Sequence, residues 1–511
     1  MRRRRGLCLL CAAVMLAVTA ACSDGGDAGG TESHATDSQD DEAVYELTLP
    51  FSAKDVLNPY TAKTKQNQEL AHLLYDPLVK ASDAFEPIYY LAKQVVQTDK
   101  TLEISLNKAA FTDGSSLTAE DVIYSVRQAQ AEGSRYVSKL SNIASAYIGE
   151  NGNVIIQLTH DDPYFAVNLD FPIIKSDTAD LRNDNFLPIP PIGCGRYTLQ
   201  TEKGVSSLQA NPNYYRGQIT LQTIGLVDCP DNDSLNHYLS IEKINMIYSD
   251  LSDVTIPKLA GTSTKTLSSS LVYLGANGQY GPLTSPQLRL AVSFSLDRSQ
   301  ISESAFFGYA EPATSLFHPK WAAIGGLKSI DESANEQLAV AYLEELGYNI
   351  LDEDGYRVNS LGNRLTLSLL YNKENNARAA VANQVAIQLK RCGIQLQPEG
   401  VTFEEYAQRL SSGSFDLYIG EVRLSNSMDV YPLFNTPGIV YGIPTESAAA
   451  EAFQSYYRGE TDLLGAVSAF VSEMPFLPLC YRNGVILSSS AVAPALHYST
   501  SDLYNDIELL Q

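Results

Sequence analysis

The chain is short of the residues that mark metal, redox or catalytic proteins. Among 511 residues there are seven cysteines, six histidines and one tryptophan. Neither H-E-x-x-H nor G-x-S-x-G occurs, so the zinc-peptidase and nucleophile-elbow signatures are both missing. His34, His72, His160, His237, His318 and His497 form no close pair at metal-ligand spacing, and no metal or cofactor is expected. Positive charge is also scarce: 36 Lys and Arg stand against 59 Asp and Glu, for a formal charge of −23. Such a surface repels nucleic acid and anionic lipid, which sets both aside as partners. The apolar run from Gly6 to Ala21 falls short of the roughly twenty residues a membrane-spanning helix needs.

What stands at the N-terminus has another use. Arg2 to Arg5 precede the apolar run, which ends in Thr19-Ala20-Ala21-Cys22, the layout of a cleaved export signal over residues 1–21. A cysteine directly after small residues resembles the lipobox of bacterial lipoproteins, with Thr19 where that motif usually carries Leu. The resemblance implies that Cys22 becomes the first mature residue and receives a lipid, anchoring the chain to the outer face of the cell membrane. From Ser23 to Ala43 no large apolar residue occurs, so this stretch cannot offset its ordering entropy by burial. We expect residues 22–43 to form a flexible tether of about 25 Å mean span.

The remaining cysteines are Cys194, Cys229, Cys392 and Cys480, with no C-x-x-C spacing among them. Outside the cytosol a structural disulfide or a buried free thiol is the expected use. Four cysteines admit three connectivities, and Cys194 with Cys229 is favoured because both flank turn-rich segments of one expected lobe.

Residues 44–511 alternate short β-type runs with marked helices, an α/β pattern long enough for two or three packed lobes around a cleft. Thr118 with Asp121 has capping-box character ahead of Val122, Val126 and Ala129 on one helical face. Ser285-Pro286 places a cap and an N1 proline before Leu288, Ala291 and Val292. Asn335 caps a helix ending at Gly347, Ala382 to Leu389 form another that stops at Gly393, and Thr402 with Glu405 opens a third. Strands are expected at 101–106, 153–158, 365–370 and 417–419.

Several segments then resemble, in order, the family 5 solute-binding proteins, the oligopeptide-, dipeptide- and nickel-binding lipoprotein group. They are Asn58-Pro59-Tyr60, Leu74-Tyr75-Asp76-Pro77-Leu78, and Phe111-Thr112-Asp113-Gly114 running on through Leu117-Thr118-Ala119-Glu120-Asp121-Val122 to Tyr124-Ser125. Gly193-Cys194-Gly195-Arg196-Tyr197 follows where the family has G-T-G-P-Y, then Gln287 to Val292, Leu296-Asp297-Arg298, Leu343 to Tyr348 and Ser414-Phe415-Asp416-Leu417-Tyr418. The resemblance implies a two-lobed periplasmic-binding-protein-like α/β clamp of type II, with an extra inserted lobe making three subdomains. Lobe I would take about 44–72, 187–268 and 484–511, lobe II about 73–186, and lobe III about 269–483.

It also implies a task without catalysis, enclosing a peptide or similar small solute and delivering it to the membrane permease of an ABC importer, and a monomer is expected because the clamp must open freely. Family resemblance points to Tyr60, Tyr197, Asn277 and Trp321 as cleft walls. Peptide binders of the group fix the substrate amino end with an aspartate beyond the F-D-L strand, a place where Glu421 and Asp429 are the candidates here. Arg423 lies between them, and its guanidinium fork suits a carboxylate or phosphate instead. Glu421 with Arg423 as an internal ion pair is the alternative. Thirty tyrosines suit a cleft that grips amphipathic solutes and suit strand packing equally. A peptide-sensing lipoprotein would show the same residues, and a secreted hydrolase finds no motif to support it.

Overall fold

The computed structural model describes residues 46–252, 262–327, 329–489, 492 and 502–507. The export signal, Cys22 and the tether lie outside these. The described residues form one compact unit.

Two apolar cores account for most of that unit. The first gathers side chains from Leu47 to Leu226, together with Met246, Ile486, Val492, Leu503, Tyr504 and Ile507. Two four-stranded sheets feed it. In one, Thr48–Phe51 runs parallel to Thr223–Asp228, which continues antiparallel through Val205–Ala210 to Tyr197–Glu202. The other is an antiparallel sheet ordered Ala92–Thr98, Thr101–Leu106, Val154–Leu158, Ile143–Ile148. Thr101–Leu106 and Val154–Leu158 alternate buried with half-exposed residues, as strands covered on one face must. Helix Ala119–Gln130 lays Val122, Val126 and Ala129 on this core, and its expected capping box forms through Thr118 and Asp121.

The second core runs from Leu271 to Tyr481 and takes in Phe85. Its sheet orders Met246–Ser249, Phe476–Ser488, Thr262–Ala276, Leu417–Arg423, Thr366–Asn372 and Gln395–Val401, with Ala310–Pro312 added beside Phe476–Ser488. Helices Pro286–Phe294, Glu336–Glu345, Asn376–Arg391 and Phe403–Ser411 start at Ser285, Asn335, Asn375 and Thr402, each of which accepts a backbone N–H at its cap. Gly347 and Gly393 follow two of them with positive φ, the left-handed turn that ends a helix at least cost.

One strand belongs to both cores, and a second runs beside it. Phe476–Ser488 is buried along its whole length, with Phe476 to Tyr481 in the second core and Ile486 in the first. Thr262–Ala276 runs antiparallel beside it, and their register breaks between Thr266 and Ser270. A bulge there loosens the ladder where the chain passes from one core to the other.

The favoured disulfide does not form. Cys194 sits in the first core, whereas Cys229 packs with Leu239, Ile244 and Leu251 in a small separate cluster. All four described cysteines are free and buried, and burial pushes the Cys229 thiol up to about 12. Arg196, where the resembling motif has proline, instead ties down the C-terminal segment. Its guanidinium lies 2.7 Å from Asp502 and donates to the Tyr504 carbonyl at 2.7 Å, while Lys80 reaches the same carboxylate at 2.5 Å.

Candidate ligand-binding cavity

A cavity of about 690 Å³ opens where the two cores face each other, within the range of small-molecule and cofactor sites. The first core supplies Lys65, Gln68 and His72 from helix Lys65–Leu74, the loop residues Arg135 to Lys139, and Asn168 and Asp170. The second supplies Val422 to Asn426, Asp429 and, from the short helix Tyr431–Asn435, Pro432 and Leu433, and the bulged residues Thr266 to Ser269 form the wall between. Two other hollows, around Asn335 and around Thr402, are open grooves at helix starts within the second core alone.

Strand Leu417–Arg423 is held against Thr262–Ala276 by two tyrosine-over-glycine pairs directly opposite one another, Tyr418 on Gly275 and Tyr273 on Gly420. A Cβ on Gly275 would stand 1.9 Å from the Tyr418 ring, so only glycine admits the stacking. This clamp carries Arg423, the last residue of the strand, to the cavity edge, exposed. Glu421, two residues earlier, is taken up by Arg378 and by Arg482 at 2.7 Å. Glu421 is therefore in an internal ion pair, the alternative weighed for it, but with these arginines and not with Arg423.

Asp429 also lines the cavity, with its carboxylate engaged by three groups of the chain. His160 Nε2 lies 3.0 Å away, the Tyr457 hydroxyl donates at 2.6 Å, and the Tyr431 N–H donates at 2.9 Å. The His160 ring stacks on Tyr431 at 4.1 Å. Beside them Asp162 is buried, and burial, reinforced by the Asp429 charge, raises its carboxyl well above the usual carboxylate range.

These contacts are part of a polar seam joining the two cores. Ser427 Oγ donates to Asp162 at 2.7 Å and accepts from Asn168 Nδ2 at 2.9 Å, and Asn426 Nδ2 donates to Asp170 at 2.7 Å. A second, apolar contact sits farther out, where Tyr164 meets Trp321 edge-on at 4.9 Å and Phe85 packs on His318.

The cavity thus brings together Arg423 and Asp429 of the residues singled out from sequence. The other aromatic and amide candidates are structural. Tyr60 and Tyr197 are buried in the first core, donating to the carbonyls of Pro172 and Leu221. Asn277 is buried and donates to the carbonyls of Gly413 and Phe415, and Trp321 is buried against Phe317 and Tyr164. Lys65, Arg135, Lys139 and Tyr248 were not singled out, because nothing in their local sequence separates them from solvated surface residues. Burial lowers the Lys65 and Lys139 ammonium groups and raises the Tyr248 hydroxyl to about 12.

Two cores, two strands crossing between them and a cavity walled by both define a solute-binding clamp. Residues 86–438 match the model of the bacterial extracellular solute-binding proteins, family 5, and the chain belongs to that family. It is similar to the oligopeptide-binding protein AppA of Bacillus subtilis, 24% identical over 99% of this chain and 98% of that one. Its fold is that of the type II periplasmic binding proteins. The AppA structure with a nonapeptide covers 90% of this chain and 97% of its own at TM-score 0.57 and 22% identity. NikA from Brucella suis in complex with Fe(III)-EDTA covers 89% and 98% at TM-score 0.66 and 16% identity.

Proposed function

We propose that the protein is the substrate-binding component of a bacterial ABC importer, held at the outer face of the membrane by a lipid on Cys22, and that it captures a peptide or a similarly sized solute. One observation carries this reading: the cavity takes its walls from both cores, which two strands connect at a bulge. A solute bound there touches both halves, so occupancy favours the closed arrangement by the difference in its affinity for closed and open forms. A relative named for oligopeptide binding, itself solved with a nonapeptide, supports the solute class.

In this reading the first core, about 44–268 with 484–511, is one jaw and about 269–483 the other, working as a monomer that presents the closed form to a permease. Arg423 and Asp429 face the solute, and no residue acts on it chemically.

The test is mass spectrometry of small molecules released when the purified chain is denatured, followed by thermal-shift titration with the species found. A recovered solute that raises the melting temperature is the expected result, because a ligand of the native state stabilises it. A chain that releases nothing, and that no peptide or small solute stabilises, refutes the reading.

A further inference from the structure

The charges facing the cavity do not cancel. Four cations line it, Lys65, Arg135, Lys139 and Arg423, on a chain whose formal charge is −23. Two have carboxylates: Lys139 pairs with Asp170, and Lys65 lies 3.7 Å from Asp250 and in the field of Glu69. Arg135 and Arg423 have none among the described residues. The Arg135 guanidinium lies over the Tyr136 ring at 5.3 Å and makes one long bond, 3.4 Å, to the Gln68 carbonyl. Both guanidiniums act on Lys65, Lys139 and Tyr136, which places their fields in one space.

The cavity carboxylates offer no matching vacancy. Asp429 is held by His160, Tyr457 and Tyr431, and Asp170 by Lys139 and Asn426. Glu69 is buried in the field of Lys65, with the His72 ring, whose pKa burial lowers, 3.8 Å away. An incoming ammonium would have to displace a partner the chain already supplies, whereas an incoming anion meets two free guanidinium forks, one on each core.

Resting on the reading of this cavity as the solute site, we infer that the solute is an acid with at least two anionic groups, bridged between Arg135 of one core and Arg423 of the other, and that it needs no free amino end. Carboxylate and phosphate share the geometry a guanidinium fork recognises. Closing the clamp brings the two arginines toward each other, which costs repulsion unless an anion lies between them, so an acidic solute favours closure.

The test is isothermal titration of the full chain with four probes: N-acetyl-Glu-Ala-Glu, its phosphoserine counterpart N-acetyl-pSer-Ala-pSer amide, the uncharged N-acetyl-Gln-Ala-Gln amide, and Lys-Ala-Lys amide. At least one acidic probe should bind tenfold or more tighter than the uncharged one, the better of the two naming carboxylate or phosphate. Arg135→Gln and Arg423→Gln should each weaken that acidic probe by about 10- to 100-fold, the usual worth of a charged hydrogen bond, and leave the uncharged probe unchanged.

Equal or tighter binding of the uncharged or cationic probe overturns the inference, as does acid binding that both variants leave intact. A neutral or cationic solute released from the native protein also overturns it while leaving the importer reading in place. A chain that releases no solute and binds none of the four probes overturns both.

Discussion

His318 shows how one buried residue sets a pH dependence. Its side chain is fully buried between Phe85 and Tyr481, Nδ1 accepts the Lys320 N–H at 3.1 Å, and Nε2 has no partner among the described residues. Burial, with Lys320 adding repulsion, drives its pKa down to about 3. The unfolded chain binds a proton here below about 6.5, and the folded chain does not until far lower, so this residue removes stability as pH falls from about 6.5 toward 3. The slope approaches about 1.4 kcal/mol per pH unit. His318→Phe should make the fall in urea midpoint between pH 7 and pH 5 shallower, and equal slopes in the two proteins would assign the acid sensitivity elsewhere. The glycines opposite Tyr418 and Tyr273 make a related point, since their role became visible only once register placed a ring over each.

At the scale of elements, helix Ala119–Gln130 is fixed by Asp121 at its start. One oxygen accepts the Thr118 N–H and hydroxyl at 2.9 and 2.7 Å, and the other accepts the Ser176 N–H and hydroxyl at 2.8 Å each. The first pair was legible as a capping box. The second joins the helix to a loop some fifty-five residues on, which no local pattern announces. Asp121→Ala should cost about 2 kcal/mol, the sum expected for a lost cap and a lost tie, read as a lower urea midpoint. Asp121→Asn should recover part of it; full stability in the Ala variant would show the cap to be redundant. Expected strand and helix positions mostly coincide with those observed, because period and capping are local. Strand Leu417–Arg423 extends four residues past its expected end at 419, since pairing with Thr262–Ala276 extends it to Arg423.

For the whole molecule, the question is what holds the two cores in this arrangement without solute. The Ser427 hydroxyl joins Asp162 and Asn168 of the first core to the second. Two such bonds are worth about 2 kcal/mol, a factor of roughly 30 in an open-to-closed ratio. Ser427→Ala should therefore raise the radius of gyration of the solute-free chain in small-angle X-ray scattering, and saturating solute should return it toward the native value. An unchanged radius would mean that the Tyr164–Trp321 and Phe85–His318 contacts hold the cores by themselves.

The sequence by itself determined the α/β alternation, the helix caps, the ordered motifs of the family and the placing of Asp429 beyond the F-D-L strand. All of these are set by neighbours within a few residues. Tertiary structure alone decided which aromatic side chains became core, which cysteines could meet, and which charges were already paired. Tyr60, Tyr197 and Trp321 have the composition of cleft residues yet spend their surface on packing, and Arg135 has the composition of a surface residue yet lines the cavity. Partners so distant along the chain, Arg196 with Asp502 within the first core and His160 with Asp429 between the two, meet only in the folded structure. The cavity's unpaired positive charge is a remainder left by all those pairings, and it exists only once they have been made.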